Sequence, residues 1–484
     1  MVSLEIQNRI KQFNPWLTQP DKAEGFIGRF LPDIYIRRET EKTPPQLNRA
    51  LLIVGPRQAG KSTLIWRLLH QYIPDILFLN MEDPLLRLGC QQAADFIDLL
   101  RQDYSFIKAI FIDEIQHLEE AGLFVKGLID ARLNLPIFIT GSSAFHLMSK
   151  TRESLAGRAT RQRLLPFSMS ELMSHAHPAN PVASRHIGDQ IVAHQLIYGS
   201  YPAVYLAKNS DEKNMILNDL VEALILKDVS DLFRIKRVDA FRKMMTLLAG
   251  QIGQLVNFSE LASICQVDVG TIRSYVEILE ESHVVKIVLP FAGGKRREIT
   301  GAPKVFFLDN GIRNQLLNNF SPVLDLRTDR GQLLENWVFT EIYKSAPLAA
   351  AIKYWRSKAG AEVDFVIEHA GKSYGLEVKY TLARQAKLPR SVISFLDVYP
   401  ADKFALLNSS LEQKGNVADR EVSFITPCGL SRWLSGVFGN KQASKGKRQK
   451  GFRLRGGNLE SVPDVFRASD LEKSQKQYFQ VKEK

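Results

Sequence analysis

The stretch from Glu362 to Tyr380, EVDFVIEHAGKSYGLEVKY, carries carboxylates where an alternating apolar pattern would otherwise make an ordinary half-buried hairpin. Its first half alternates Val363, Phe365 and Ile367 with Glu362, Asp364 and Val366; its second alternates Leu376, Val378 and Tyr380 with Gly375, Glu377 and Lys379. A turn centred on Ala370 and Gly371 sets Asp364 opposite Glu377 and Glu362 opposite Lys379. Like charges facing each other at roughly 5 Å repel unless something positive lies between them. The expected chemistry is a divalent-metal site on Asp364 and Glu377, with Lys379 beside it to position water or stabilise developing charge. The plain alternative is a cross-strand salt bridge between Glu362 and Lys379. Upstream, Glu335 shares a helical face with Val338, Phe339 and Ile342 at i, i+3, i+4 and i+7. A carboxylate on an apolar face needs a partner.

A second chemical motif lies near the start. RALLIVGPRQAGKSTLIWRLL is a short apolar strand, then GxxxxGKS from Gly55 to Ser62, then an amphipathic helix. In that context Gly55, Pro56, Arg57, Gln58, Ala59, Gly60, Lys61, Ser62 and Thr63 form a loop whose backbone amides wrap phosphates at a helix N-terminus. Lys61 brings a point charge to the terminal phosphates, and the Ser62 hydroxyl goes to Mg²⁺. Downstream, KAIFIDEIQHL is a buried-strand run ending in Asp113 and Glu114. It looks like a Walker B element, with Asp113 holding Mg²⁺ and Glu114 acting catalytically on the attacking water. A third strand, LPIFITGSS, ends in Thr140, Ser142 and Ser143; one of these hydroxyls, Ser142 foremost, either reaches the nucleotide or caps the next helix.

These motifs need a scaffold. Strands alternating with helices over 49–166 imply a parallel sheet sandwiched by helices. From about Phe167 the pattern turns helical, interrupted by HPANP and YGSYPAVY, and reads as a lid; Arg158 in LAGRATRQR is either a phosphate contact or a surface arginine. NFSELASICQVDVGTIRSYVEILEESHVV has the order of a helix-turn-helix, capped near Ser259 and turning through Gln266 to Asp268. It places Thr271, Arg273 and Ser274 on the second helix; a strand pair follows, with Gly293 and Gly294 at its turn and Lys295, Arg296 and Arg297 on a wing. Glu277, Glu280 and Glu281 on the same helix would repel phosphate, so contact with DNA and a protein-spacer role stay equally open.

The chain of 484 residues is 45% hydrophobic and 24% charged, enough to bury several cores, and length suggests about three domains. No apolar run reaches the roughly 18 residues of a membrane span, and the N-terminus lacks a signal-peptide core, so the expected compartment is the cytoplasm. Cys90, Cys265 and Cys428 are too scattered for a disulfide framework. Of the formal net charge of +12, seven positive charges lie between Lys441 and Gly456, in a Gly/Ser/Gln-rich tail expected to be disordered.

Taken in order, GPRQAGKST, FIDEIQ, TGSSAFHL, LAGR, GSYPAVY and YWRSKAGAEVDFVI…LEVKY resemble a bacterial and archaeal family of AAA-type ATPases whose C-terminal region is a domain of unknown function resembling restriction endonucleases. The resemblance runs from about Asn14 to about Tyr380 and implies ATP, Mg²⁺, a helical lid, a winged helix and a nuclease-like terminal domain. The motif PD-(D/E)xK would fall on Asp364, Glu377 and Lys379, with Glu335 as the acid from a preceding helix; Val363 stands where the motif has proline. The expected architecture is an α/β P-loop NTPase. Its parts are an N-terminal segment over 1–48, an ATPase core over 49–166, a lid over 167–248, a winged helix over 249–315, a nuclease-like α/β domain over 316–437 and a basic tail over 438–484.

Three functions fit. ATP hydrolysis drives or gates a nuclease acting on DNA or RNA; or the chain is a nucleotide-dependent switch whose nuclease-like domain docks a partner, another copy included; or it is a DNA-binding regulator with residual ATPase activity. Deleting the chain after Phe438 is expected to weaken nonspecific DNA affinity, and each phosphate that the tail no longer neutralises should flatten the log-log salt slope by about one. DNA-binding titrations over a salt series check this.

Overall fold

The computed structural model describes residues 2–141, 157–225, 235, 237–291, 301–382, 385–399, 401–417 and 420–439. Strands β1 (Ala50–Val54), β2 (Ile76–Asn80), β3 (Ala109–Asp113), β4 (Ile137–Gly141) and β5 (Ala159–Arg163) form an all-parallel sheet in the order β2-β3-β4-β1-β5. The first four read as continuous apolar runs because both faces are covered. The edge strand β5, ATRQR, is polar and partly exposed. The other edge, β2, is closed by the N-terminal segment. Asn14 donates its amide to the Phe78 carbonyl at 2.9 Å and accepts the Phe78 N–H at 2.6 Å, and the Trp16 indole donates to the Ile76 carbonyl at 2.8 Å.

Five helices follow among the described residues, Met169–Ala176, Pro181–Tyr198, Pro202–Leu206, Ser210–Ala223 and Val238–Gly250. Next come Phe258–Cys265 and Val269–Glu281, joined through Gln266, which takes a left-handed φ of 56°. The first of this pair is capped by Asn257, whose side chain accepts from Ser259 and Glu260, so the cap lies two residues before the expected Ser259. Asp268 caps the second by accepting from Thr271. Strands β6 (Val285–Val288) and β7 (Lys304–Phe307) then pair antiparallel. The expected turn at Gly293 and Gly294, with Lys295, Arg296 and Arg297, lies outside the described residues.

The C-terminal sheet contains β8 (Ala351–Arg356), β9 (Glu362–His369), β10 (Lys372–Val378), β11 (Lys403–Leu407), β12 (Gln413–Val417) and β13 (Arg420–Ile425), in the order β12-β13-β11-β10-β9-β8. The Arg390–Val398 helix covers one face through Val363, Val366, Val392, Phe395 and Phe404. The other face joins a core that runs without interruption through Leu172, Leu196, Phe241, Leu279, Phe306, Trp337, Phe365 and Trp433. Phe306 on β7 stacks on Phe339 with ring centroids 4.6 Å apart. The helical segment, the helix pair with its hairpin, and the C-terminal sheet therefore share buried surface, which hydrophobic burial makes costly to separate. Among the described residues, no helix is long and apolar enough to cross a membrane.

Gly199 ends the Pro181–Tyr198 helix with φ 76° and ψ −156°, and a Cβ there would lie 1.9 Å from Asp309 Oδ1. Asp309 is itself committed, accepting from the Ser200 N–H at 2.7 Å and from the Gly311 N–H at 2.8 Å. Gly199→Ala is expected to lower stability by about 3 kcal/mol through backbone strain and overpacking, with chemical denaturation as the check.

Candidate nucleotide site and C-terminal acid cluster

β1 ends at Val54, and the loop from Gly55 to Gly60 returns the chain to the N-terminus of the Lys61–Leu69 helix. Gly60 takes φ 93°, which favours glycine, and Gln58 takes φ 57°, an uncommon conformation held at the loop tip. Gly55 is required for a further reason: a Cβ there would lie 1.9 Å from the Leu164 carbonyl oxygen just beyond β5. The first glycine thus permits the close packing of the loop on the end of β5. Lys61 is buried, and its ammonium donates to the carbonyls of Gly55 at 3.1 Å and Pro56 at 2.9 Å. The loop's own backbone holds this charge beside the helix N-terminus. Pro56 and Ala59 are buried, Arg57 and Thr63 are half-buried, and Gln58 is exposed.

The Ser62 hydroxyl lies 3.0 and 3.1 Å from the two Asp113 carboxylate oxygens. Thr140 of β4 donates its hydroxyl to Asp113 Oδ1 and accepts the Glu114 N–H at 3.0 Å. Of the three hydroxyls expected near this point, Thr140 therefore meets the acids; Ser142 and Ser143 lie outside the described residues. Burial pushes the Asp113 carboxyl up to about 6, opposed by the Thr140 bond and assisted by the Glu114 charge. Burial also acts on Glu114, but the Lys61 charge, the Gln116 amide bond and Arg57 outweigh it and hold that carboxyl below its usual range. Glu114 has φ 52°, which turns its side chain off the strand end. Ser62 and Asp113 present hard oxygen donors suited to Mg²⁺ beside a phosphate. A cavity of about 430 Å³ floored by Trp16, Phe30, Trp66 and Phe78 opens beside this pair.

Three side chains around this loop escape sequence reasoning. Arg38, almost fully buried, donates to the Ala59 carbonyl at 2.9 Å, to Glu171 Oε1 at 3.0 Å and to the Leu165 carbonyl. It fastens the phosphate loop to the cap of the Met169–Ala176 helix, where Glu171 also accepts the Ser168 N–H at 2.9 Å. His283 follows the Val269–Glu281 helix; its Nε2 finds no partner among the described residues. Burial first, then the charges of Arg163, Lys61 and Arg161, push it down to about 3, so the imidazole is neutral. Arg163 lies over the Tyr343 ring at 3.7 Å and donates to the Tyr343 carbonyl at 2.5 Å, docking β5 on the Arg330–Ser345 helix. Arg158, a candidate phosphate contact, instead forks onto Asp130 at 2.8 and 3.2 Å.

In the C-terminal sheet the β9–β10 ladder pairs Lys372 with His369 through Leu376 with Phe365, and the same register carries Glu377 opposite Asp364. There the main chains part and side chains take over. The Asp364 N–H donates to Glu377 Oε2 at 3.3 Å, and the Val378 N–H donates to Asp364 Oδ2 at 2.7 Å. On the other side, the β8–β9 register shifts between Lys353 opposite Val366 and Trp355 opposite Val363, which inserts one extra residue into β9. This bulge breaks the expected alternation: Val363 joins Val366 in the core under the Arg390–Val398 helix, while Phe365 and Ile367 face the larger core.

The plain alternative, a Glu362–Lys379 bridge, is not the pairing found. Lys379 pairs with Glu377 at 2.6 Å, and Glu362 pairs with Lys304 of β7 at 2.5 Å and with Arg356 at 3.4 Å. Lys304 also lies 3.3 Å from Glu335 Oε1. Burial raises the carboxyls of Glu335, Asp364 and Glu377; the neighbouring Asp364 charge adds to it for Glu335 and Glu377, and the Glu362 charge for Asp364. Burial lowers Lys304, but Glu335, Glu362 and Asp364 outweigh it and keep the ammonium charged. Glu335, Asp364, Glu377 and Lys379 thus meet, as the sequence pattern suggests. Their oxygens suit Mg²⁺ or Mn²⁺, yet among the described residues no group of three or more His, Cys, Asp or Glu side chains is arranged to hold a metal ion. As arranged, Asp364 and Glu377 do not fit the expected divalent ion: each accepts a backbone N–H from the facing strand, Glu377 pairs with Lys379, and the Lys304 ammonium holds Glu335 and Glu362 beside them.

Residues 47–173 match an AAA domain, 189–323 a Domain of unknown function (DUF8612) and 330–428 a Domain of unknown function (DUF4143). The chain is 26% identical over 349 residues to an uncharacterized protein of Mycobacterium tuberculosis, covering 72% of each. It is 25% identical over 394 residues to an uncharacterized protein of Haemophilus influenzae, covering 77% of this chain and 92% of the relative. Among solved structures, the ORC2 protein of Aeropyrum pernix is similar at 12% identity and a TM-score of 0.32, over 55% of this chain and 86% of that one, a superposition too loose to carry argument. Together with the parallel sheet, the domain match makes residues 47–173 an AAA-type P-loop domain.

Removing Arg38 leaves Glu171 buried without its cation. Arg38→Ala is expected to destabilise the protein by about 3–5 kcal/mol, and Arg38→Lys to recover only part of this, because an ammonium cannot reach Ala59, Leu165 and Glu171 in one plane. Denaturant unfolding of the two variants checks the order.

Proposed function

We propose that the chain binds and hydrolyses ATP with Mg²⁺, and that its nucleotide state is passed to a nuclease-like C-terminal domain that meets DNA or RNA. The observation that carries the first part is the Ser62 hydroxyl held against both Asp113 oxygens, with Thr140 bridging Asp113 to the Glu114 amide. Ser62 and Asp113 would hold Mg²⁺, which would supply neutralisation of phosphate charge. Lys61 leaves the Gly55 and Pro56 carbonyls for the terminal phosphates, while the backbone amides from Gly55 to Thr63 cradle the rest. Glu114, kept ionised, orients the attacking water and takes its proton, and Gln116 fixes the carboxylate by donating to it.

Continuity of the core from the helical segment to the C-terminal sheet, and Arg38 bridging the loop to the Met169–Ala176 helix, support transmission of the nucleotide state. The helix pair followed by the antiparallel β6–β7 hairpin supports a winged helix over 249–315. Glu280 pairs with Lys286 and accepts the Ile287 N–H, and burial together with Glu277 and Glu280 raises Glu281 to about 7, which lessens the repulsion these acids offer a phosphate. Meeting of Glu335, Asp364, Glu377 and Lys379 supports the nuclease-like reading. Lys304 among them favours a second reading, in which that domain docks a partner and cuts nothing.

Lys61→Ala is expected to abolish ATP binding, whereas Glu114→Gln retains binding and lowers turnover by at least about a hundredfold, because one residue neutralises ground-state charge and the other acts on water. Equilibrium binding of a fluorescent ATP analogue alongside phosphate release separates the two; unchanged turnover in Glu114→Gln removes Glu114 from catalysis.

A further inference from the structure

Lys304 stands at an unusual junction. It opens β7, the second strand of the hairpin that follows the helix pair, yet its side chain, 3% exposed, ends among carboxylates supplied by the C-terminal domain: Glu335 from the Arg330–Ser345 helix and Glu362 from β9. Its position is fixed on several sides. The Val256 N–H donates to the Pro303 carbonyl at 2.8 Å, and the Tyr354 hydroxyl donates to the Ala302 carbonyl at 2.5 Å. The ammonium lies 5.3 Å from the Tyr354 ring centroid. The end of β6 is tied to β8 by the Tyr354 N–H donating to the Leu289 carbonyl at 3.2 Å and the Phe291 N–H donating to the Tyr354 carbonyl at 2.6 Å.

Two of the acids around it, Glu335 and Asp364, belong to the expected nuclease set, and Glu362 joins them. A Mg²⁺ or Mn²⁺ ion requires carboxylate oxygens at about 2.0–2.2 Å, in a near-octahedral set. An ion bound by Glu335 and Glu362 would lie within a few ångströms of the Lys304 nitrogen, where two like charges in a poorly solvated site repel strongly. One ammonium cannot share this space with a metal.

We propose that Lys304 is the built-in cation of the Glu335–Glu362–Asp364 cluster and that it closes the cluster to metal ions. The inference rests on the nuclease-like reading in that it shares Glu335 and Asp364 with it, adds Glu362, and names the charge that fills the site.

The test is calorimetric titration of nucleotide-free full-length protein with Mn²⁺. The parent and Lys304→Arg, which keeps the charge, are expected to give no heat that depends on Asp364. Lys304→Met is expected to bind Mn²⁺ at least about tenfold more tightly than the parent, with binding lost in Lys304→Met/Asp364→Asn and with a melting temperature below the parent's that Mn²⁺ restores. Mn²⁺ binding by the parent that disappears in Asp364→Asn overturns the proposal, as does a folded Lys304→Met that binds no Mn²⁺. Should Lys304→Met not fold, Mn²⁺ binding by the parent or by Lys304→Arg still overturns it, and their silence supports it. Cleavage of DNA and RNA is read separately. Mn²⁺ binding in Lys304→Met without cleavage sinks the nuclease reading and leaves the assignment of Lys304; parent binding with cleavage does the reverse.

Discussion

A charge taken out of water must be matched in place, and this protein meets that constraint with single basic side chains that cross from one structural unit to the next. Arg38 reaches from the segment before β1 to the phosphate loop and to Glu171. Lys304 reaches from the β6–β7 hairpin into the acids of the C-terminal sheet. In each case the pair is expensive to break and weak as a source of net stability. Its effect is to fix the relation of two units, because neither partner tolerates being left alone in the interior.

Between these two nodes lies the continuous core that holds Leu196, Phe241, Phe306, Trp337 and Phe365. Packed interiors resist continuous deformation and shift between discrete arrangements, so a change at the phosphate loop has few ways to relax. The Ser282–His283 turn, whose neutral imidazole lies near the charges of Lys61, Arg161 and Arg163, brings the helix pair close to the nucleotide side. Arg163 on Tyr343 does the same for the helix that carries Glu335. The nucleotide site and the acid cluster are thus joined through packed side chains and not through a linker.

Legibility in the sequence followed the range of the interaction. GxxxxGKS, the Asp113–Glu114 strand end and the hairpin turn at Ala370–Gly371 are local patterns, and each is found where its spacing puts it, including the register that brings Asp364 opposite Glu377. Glu335 was visible as an acid on an apolar helical face. The bulge in β9 was not, because one inserted residue changes no composition and is set by the β8 partner. Arg38 sits in a stretch with other arginines, and its role depends on Glu171, far along the chain. Lys304 begins the strand KVFF, and only the tertiary packing turns its side chain inward. The same packing gave Glu362 a partner other than Lys379.

The central claim is that ATP binding is felt at the C-terminal acids. Amide hydrogen exchange, with and without a non-hydrolysable ATP analogue, tests this directly, since local opening free energies report which elements change together. The account predicts altered protection at the phosphate loop, in the helix after Asp268, in β7 and in the β9–β10 hairpin. Changes confined to residues 50–165, with β7 and the hairpin untouched at saturating nucleotide, would contradict it.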